Sequence, residues 1–421
     1  MIHRKLSTVV FGLTVAAILA GGAGTGALAK TKVRFMMWGP PDPYQPVIAA
    51  FEKTHPDIEV VAEPGPDFGP YLTKLQAEFA AGLAPDVFKV SGAFLSYLAR
   101  TGALLDLQPY LERSQVNLND YLPTGDIFRY RGHIYGMGDA FDFVGLLYNQ
   151  DLFDQAGLAV PNANWTWENL RQAAAKLTVR SGDEVRRYGT YIYVAPEYYG
   201  HASWMNFFAQ NGVRPLNAEK NRAAFNTPAG VETVQFMADF VQKDRSSPPI
   251  QQYFDSKWDF GQEKLAMDFS IFPNGFASLR QVAKFAWDVA PLPKGKQRAA
   301  VTNTVGFAIN AQSRVKDAAW ELLNFITTEG QKILAANQVI LPVYKPAVPL
   351  FIRPNQRPYK LLEVLQESSA GLVDMQFTPT WNEWTAALGS QIADAVAGRK
   401  SAQAALAQAE EQVNKILAKE K

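Results

Sequence analysis

Lys32-Val33-Arg34-Phe35-Met36-Met37-Trp38-Gly39-Pro40-Pro41-Asp42-Pro43 is the stretch whose reading decides the fold. Its first seven residues form a short apolar run, which predicts a buried strand. The glycine and three prolines that follow force a rigid turn. Tyr44–Thr54 then places Val47, Ile48 and Phe51 on one side of a helix. Ile58–Ala62 predicts a second strand, and Tyr71–Ala81 a helix that turns Leu72, Leu75 and Phe79 inward. Gly82 ends that helix, as a C-terminal glycine does. Asp86–Val90 predicts a third strand and Ala93–Arg100 another helix. Strand, helix, strand, helix, strand means a parallel sheet covered by helices.

Toward the C-terminus the theme repeats. Leu146–Tyr148, Leu265–Phe269, Trp287–Ala290 and Gly306–Asn310 predict strands. Thr166 is placed to cap a helix over Trp167–Leu177. Thr227-Pro228 opens a helix reaching Val241, with proline at the first helical position. Lys316–Thr327 is amphipathic, and Ser401 caps a final helix over Ala402–Leu417. Lys345–Arg357, with three prolines, reads as a linker or irregular passage. The chain shows no internal repeat.

Toward the N-terminus, His3-Arg4-Lys5 precedes an apolar run from Val9 to Leu19 and a small-residue tract ending Ala27-Leu28-Ala29. That order predicts a secretory signal peptide over residues 1–29. The 421-residue length suits two lobes of ordinary size. Hydrophobic residues at 48% and charged residues at 19% place the chain among globular proteins. A net charge of +1 gives no support for nucleic acid as a partner. Cysteine is absent, which excludes disulfides and thiolate catalysis. A lipid-anchored bacterial lipoprotein needs a cysteine just after its signal, so the expectation is a protein free in the periplasm.

The order of landmarks then carries a resemblance. Val33-Arg34-Phe35-Met36-Met37-Trp38-Gly39 is followed by Ala50-Phe51-Glu52-Lys53-Thr54-His55-Pro56-Asp57-Ile58. Ala84-Pro85-Asp86-Val87 and Gly102-Ala103-Leu104-Leu105-Asp106-Leu107 come next. Leu147-Tyr148-Asn149-Gln150-Asp151-Leu152-Phe153, Trp165-Thr166-Trp167-Glu168, Gly261-Gln262-Glu263-Lys264-Leu265-Ala266-Met267 and Ala290-Pro291-Leu292-Pro293 complete the series. The chain resembles the extracellular solute-binding proteins of ABC importers, family 1, which includes the maltose-binding proteins. The resemblance implies an α/β, two-lobed periplasmic-binding-protein fold of type II. Each lobe would be a mainly parallel sheet flanked by helices, with ligand in the interlobe cleft. It places 30–139 plus 305–352 in an N-terminal lobe and 140–304 plus 353–421 in a C-terminal lobe. It also implies a monomer with two partners, a carbohydrate and a membrane permease. No cofactor is needed, since ATP is hydrolysed by a separate subunit.

A sugar offers weakly apolar C–H faces to aromatic rings and hydroxyl edges to carboxylates and amides. Aromatic residues make up 12% of the chain and core packing explains most, so position selects the candidates. Trp38 and Asp42 stand at the end of the first strand. In resembling proteins the residues following the third strand line the site, which selects Ser91 and Phe94. Asp139 and Asp142 fall at the first interlobe crossing by resemblance. Tyr198, Tyr199 and Trp204 belong to the densest polar-aromatic cluster, where maltose-type relatives place a stacking ring. Phe272 and Asn274 follow the Leu265–Phe269 strand, where many relatives carry a tryptophan that this chain lacks. Asn303 and Gly306 mark the return crossing, and Trp381 a helix facing the cleft, with Trp384 as its core-packed counterpart. Asp86 more naturally braces the turn before its strand.

An enzyme is the rival class. A glycosidase needs two carboxylates flanking the bond, and Asp139 and Asp142 are the sequence pair available. Neither Gly-x-Ser-x-Gly nor His-Glu-x-x-His occurs, and the four histidines are scattered. A second rival keeps the fold and binds a polyamine, a glycerophosphodiester or a metal chelate. An anion would call for convergent Arg or Lys, whereas the candidate segments are aromatic, acidic or neutral.

Overall fold

The computed structural model describes residues 29–122, 127–182, 184–194, 204–249, 259–272 and 275–420. At its centre β1 (Thr31–Trp38) runs parallel to β2 (Ile58–Gly65) on one side and β3 (Val87–Ser91) on the other. The helices Gln45–Thr54 and Phe68–Ala81 make the crossovers. Gly82 closes the second with φ 68°, a conformation that favours glycine. Successive strand residues face opposite sides. Phe35 and Val87 therefore enter one core, while their neighbours Met36 and Phe88 enter the other.

A small hairpin of β4 (Arg129–Tyr130) and β5 (His133–Ile134) leads into β6 (Met137–Asn149). Sequence periodicity finds only the end of β6, because Gly138, Asp139, Asp142 and Gly145 interrupt its apolar pattern. A second hairpin, β7 (Val179–Ser181) with β8 (Glu184–Arg187), precedes β9 (Met267–Phe272), β10 (Trp287–Ala290), β11 (Ala300–Ile309) and β12 (Leu372–Val373).

The main sheet has the order β10-β6-β11-β3-β1-β2, with β9 joined to β6 and β12 to β11. Two strands tie its halves together. Residues Met137–Phe143 of β6 pair with β11, and Phe143–Asn149 pair with β9 and β10. Residues Val305–Ile309 of β11 pair with β3, and Ala300–Val301 with β12. These two strands meet β3, β9, β10 and each other antiparallel, within a sheet whose β1, β2 and β3 are parallel. Both positions read as lobe boundaries, 139/140 and 304/305, fall inside them.

Helix Lys316–Phe325 packs on β11 and β1. Pro228–Gln242, Trp381–Val396 and Ala402–Leu417 pack on one another. The expected caps are in place. Thr166 and Asn169 form a capping box, Thr227 accepts from the Gly230 amide at 3.1 Å, and Ser401 accepts from the Ala404 amide at 3.2 Å. The Pro-rich passage holds only a 3-10 turn, Lys345–Ala347, and a helical turn, Val348–Phe351.

Candidate functional site

The strand β3 is buried throughout, and Lys89 lies in its middle. A buried ammonium needs partners. Lys89 Nζ lies 3.7 Å from Asp139 Oδ2 and donates to the Tyr44 hydroxyl at 3.3 Å. Tyr44, from the turn after β1, in turn donates to Asp139 Oδ2. The same ammonium sits 5.0 Å from the Trp38 ring centroid, 5.2 Å from Tyr44 and 5.5 Å from Phe307.

A bulge delivers Asp139 to this place. Val305 pairs with Ala140 and Gly306 with Gly138, so Asp139 is the unmatched residue. A bulge re-aims a side chain in this way. Gly306 is required there, since a Cβ would stand 2.0 Å from the Met137 carbonyl oxygen. Asp142 lies directly opposite Asn303 across the β6–β11 ladder, and Ser91 opposite Val305 across β3–β11. With a side-chain period of two, Lys89, Ser91, Asn303 and Asp142 share one face of the sheet.

Burial dominates the electrostatics. It raises the Asp139 carboxyl, against the pull of Lys89 and the Tyr44 hydrogen bond. It lowers Lys89, against the two aspartates, and drives Tyr44 well above the usual phenol range. Asp142 retains some exposed surface, yet burial, opposed by Lys89 and aided by Asp139, pushes its carboxyl up to about 7. Asp139 Oδ1 and the Ser91 hydroxyl are buried with no hydrogen-bond partner among the described residues. Buried polar atoms normally have partners, and these two lie beside Lys89 and Asp142 on the same part of the sheet.

Aromatic rings flank this cluster. Trp38 meets Phe68 edge-on at 5.2 Å and Tyr71 at 5.5 Å, and Phe94 stacks behind Phe68 at 4.9 Å. A second ring group follows from the C-terminal part of the chain, where Phe377 packs on Trp381 at 4.6 Å and Trp381 meets Trp384 at 4.8 Å. Trp384 Nε1 donates to Thr378 Oγ1 at 3.1 Å, whereas the indole donors of Trp381 and Trp204 have no partner among the described residues. Gly92, at the start of the helix after β3, lets the two walls approach. A Cβ there would come within 2.2 Å of the Phe377 ring.

The sequence candidates thus divide. Trp38, Ser91, Asp139, Asp142 and Asn303 converge on one sheet face and its edge. Phe94, Trp204 and Trp381 are buried behind their walls, Trp204 edge-on to Phe208 at 5.4 Å and Trp381 packed between Phe377 and Trp384, so Trp381 is as deeply buried as Trp384 and offers no open ring face. Asp42 is exposed in the turn Asp42–Tyr44. Gly306 serves the close approach of β11 to β6. Phe272 pairs with Phe143 at the end of β9, and Tyr198, Tyr199 and Asn274 lie outside the described residues. Asp86 braces its turn, accepting from the Arg34 amide at 2.9 Å and the Ser313 hydroxyl at 2.6 Å. Sequence reasoning missed Tyr44, Lys89 and Phe68. The signal for Lys89 was available, as the one charged residue between apolar neighbours in β3. Among the described residues no group of three or more His, Cys, Asp or Glu could hold a metal, and no helix is long and apolar enough to cross a membrane.

A sheet crossed twice between two halves, with unpartnered polar atoms between aromatic walls at its strand ends, defines a two-lobed solute receptor of the periplasmic-binding-protein type. The family model of the bacterial extracellular solute-binding proteins matches residues 39–333, and the chain belongs to that family. Among solved structures it is similar to an ABC substrate-binding protein of Listeria monocytogenes in complex with cycloalternan. The two are 27% identical with a TM-score of 0.81, covering 92% of this chain and 99% of that one. A solute-binding protein of Thermotoga lettingae bound with α-D-tagatose is 23% identical with a TM-score of 0.78, over 92% and 100%. A putative binding protein of Brucella abortus is 24% identical over 91% of this chain and 90% of its own length. The sn-glycerol-3-phosphate-binding periplasmic protein of Pectobacterium atrosepticum is 23% identical over 58% of this chain and 55% of its own.

Proposed function

We propose that this chain binds a carbohydrate between its lobes in the periplasm and hands it to the membrane permease of an ABC importer. The observation that supports this most is the pair of unpartnered buried oxygens, Asp139 Oδ1 and Ser91 Oγ, beside Asp142 and between aromatic rings. A sugar matches that mixture of stacking faces and hydroxyl donors. The cycloalternan and tagatose complexes of similar proteins point the same way. In this reading Asp142 and Asn303 take hydroxyl groups and Trp38 offers a ring. The lobes are 30–139 plus 305–352 and 140–304 plus 353–421, and the protein acts as a monomer without catalytic turnover.

The glycerol-phosphate relatives raise a second ligand class. A phosphate needs surplus positive charge, but Lys89 already faces two carboxylates. Intrinsic tryptophan fluorescence titrated with sugars, polyamines and sn-glycerol 3-phosphate tests the choice. A saturable response to a sugar with none to the phosphate ester is expected. A response to the ester alone overturns the carbohydrate reading, and product formed from an oligosaccharide overturns binding without turnover.

A further inference from the structure

Away from the cleft, one face of the molecule gathers cations that lack acidic partners. Arg280 and Lys284 come from the helix Phe276–Val282 and the loop after it, Arg353 and Arg357 from the Pro-rich passage, and half-buried Lys360, its ammonium 5.8 Å from the Tyr148 ring centroid, from the residue before the helix Leu361–Ser369. Arg280 donates to the Arg357 carbonyl at 2.6 Å, Arg353 to the Ala336 carbonyl at 2.7 Å, Lys284 to the Gln281 carbonyl at 3.3 Å, and Arg357 to the Trp287 carbonyl. None of the five forms an ion pair with a carboxylate among the described residues, whereas Arg171, for example, pairs with Asp244. Burial and then the charge of Arg353 lower the Arg280 pKa, so like charges converge here. The nearest acid, Asp288, is buried behind Arg357 and Lys360 and accepts from the Lys360 amide at 3.2 Å. Glu363 is exposed at the margin.

The same face carries apolar side chains in water. Eight large hydrophobic residues are exposed among the described residues; Val282, Leu350, Tyr359 and Leu362 belong to these segments or their margins, and Val339 follows Gln338. That concentration separates the face from ordinary scattered exposure. The Arg357 guanidinium lies 5.0 Å from the Tyr359 ring centroid. Gln338 ties the Val339 segment to the Leu350 segment through the Phe351 carbonyl at 2.7 Å.

We propose that this face, built from Arg280, Lys284, Arg353, Arg357 and Lys360 with Tyr359 and Leu362, is a docking surface for an anionic phospholipid membrane. Charge complementarity carries the choice. Unpaired Lys and Arg gain from a negative lipid surface, and a tyrosine beside leucine suits the headgroup boundary. A lipid headgroup layer also accepts cations from two separate segments without demanding a fixed pairing geometry. The surface acts independently of which ligand fills the cleft.

The test is co-sedimentation of the full chain with vesicles of phosphatidylcholine alone, or with about 30 mol % phosphatidylglycerol, at low and high salt. Binding to anionic vesicles only, weakened by salt, is expected. Lys284→Glu with Arg353→Glu should weaken that binding at least about tenfold, since each membrane-facing cation contributes roughly a fivefold factor. Tyr359→Ala with Leu362→Ala should weaken it and leave its salt dependence. Circular dichroism and the fluorescence titration check that each variant stays folded. Equal binding to neutral vesicles, no binding to anionic ones, an unaffected charge-reversal variant, or capture by polyglutamate with no vesicle binding would each overturn the proposal.

Discussion

Lys89 costs the fold several kcal/mol of lost hydration unless Asp139 and Tyr44 restore it. Replacing Lys89 by Met leaves Asp139 buried without its cation. We expect a loss of about 3–5 kcal/mol, read as a lower midpoint in urea. Adding Asp139→Asn should recover part of that loss, and an unchanged double variant would show that the two residues do not act as a pair. Asp142 has a different role. Its carboxyl stands at about 7 when folded but near the ordinary value of about 3.9 when unfolded. Between those values the folded state holds the extra proton. The contribution of Asp142 to unliganded stability is therefore full below the unfolded value and is lost as pH rises through 7. Hydroxyl donors prefer the charged carboxylate, so ligand affinity should rise as pH climbs through 7. Asp142→Asn should remove this contribution to both profiles, with Asp268, which burial also pushes up to about 7, leaving a residual slope in stability, and should weaken binding about tenfold to a hundredfold, as measured by fluorescence titration. The acids were legible in the sequence because the family resemblance places Asp139 and Asp142 at the first interlobe crossing. Tyr44 was not, because its hydroxyl finds Asp139 only after the chain returns 95 residues later.

At the scale of elements, the bulge in β6 and the caps of the helices make separable demands. Gly306→Ala drives a methyl group into the Met137 carbonyl, a backbone atom with no freedom to yield. It should cost about 3 kcal/mol in denaturant unfolding and lower ligand affinity as well, since the bulge aims Asp139. Thr166→Ala breaks a capping box on a distant helix and should cost about 1 kcal/mol with affinity unchanged. A loss of binding in that variant would show that the two halves are coupled through more than the crossing strands. Caps and parallel strands were readable from local chemistry, because Thr, Ser, Gly and Pro act within one turn. The length of β6 was not, because its polar residues serve a site formed with β11, about 160 residues away in sequence.

For the whole molecule, the proposed closure depends on Gly92 and Phe377 meeting across the cleft. Small-angle scattering should show the radius of gyration fall when ligand binds. Gly92→Val should hold the lobes apart, with ligand affinity falling about tenfold or more and thermal stability little changed. Compaction equal to that of the parent chain would remove Gly92 from the closing contact. The sequence by itself determined the α/β layering, the helix caps, the family resemblance and the acidic residues of the crossing strand, since each rests on local periodicity or on residues near one another along the chain. Only the tertiary structure decided that Lys89 balances Asp139 and Asp142, that Trp381 rather than Trp384 keeps an unpartnered donor, and that five cations lie near one another without an ion pair among the described residues. The reason is physical: desolvation, charge pairing and ring contact depend on distances between segments that lie far apart until the sheet is assembled.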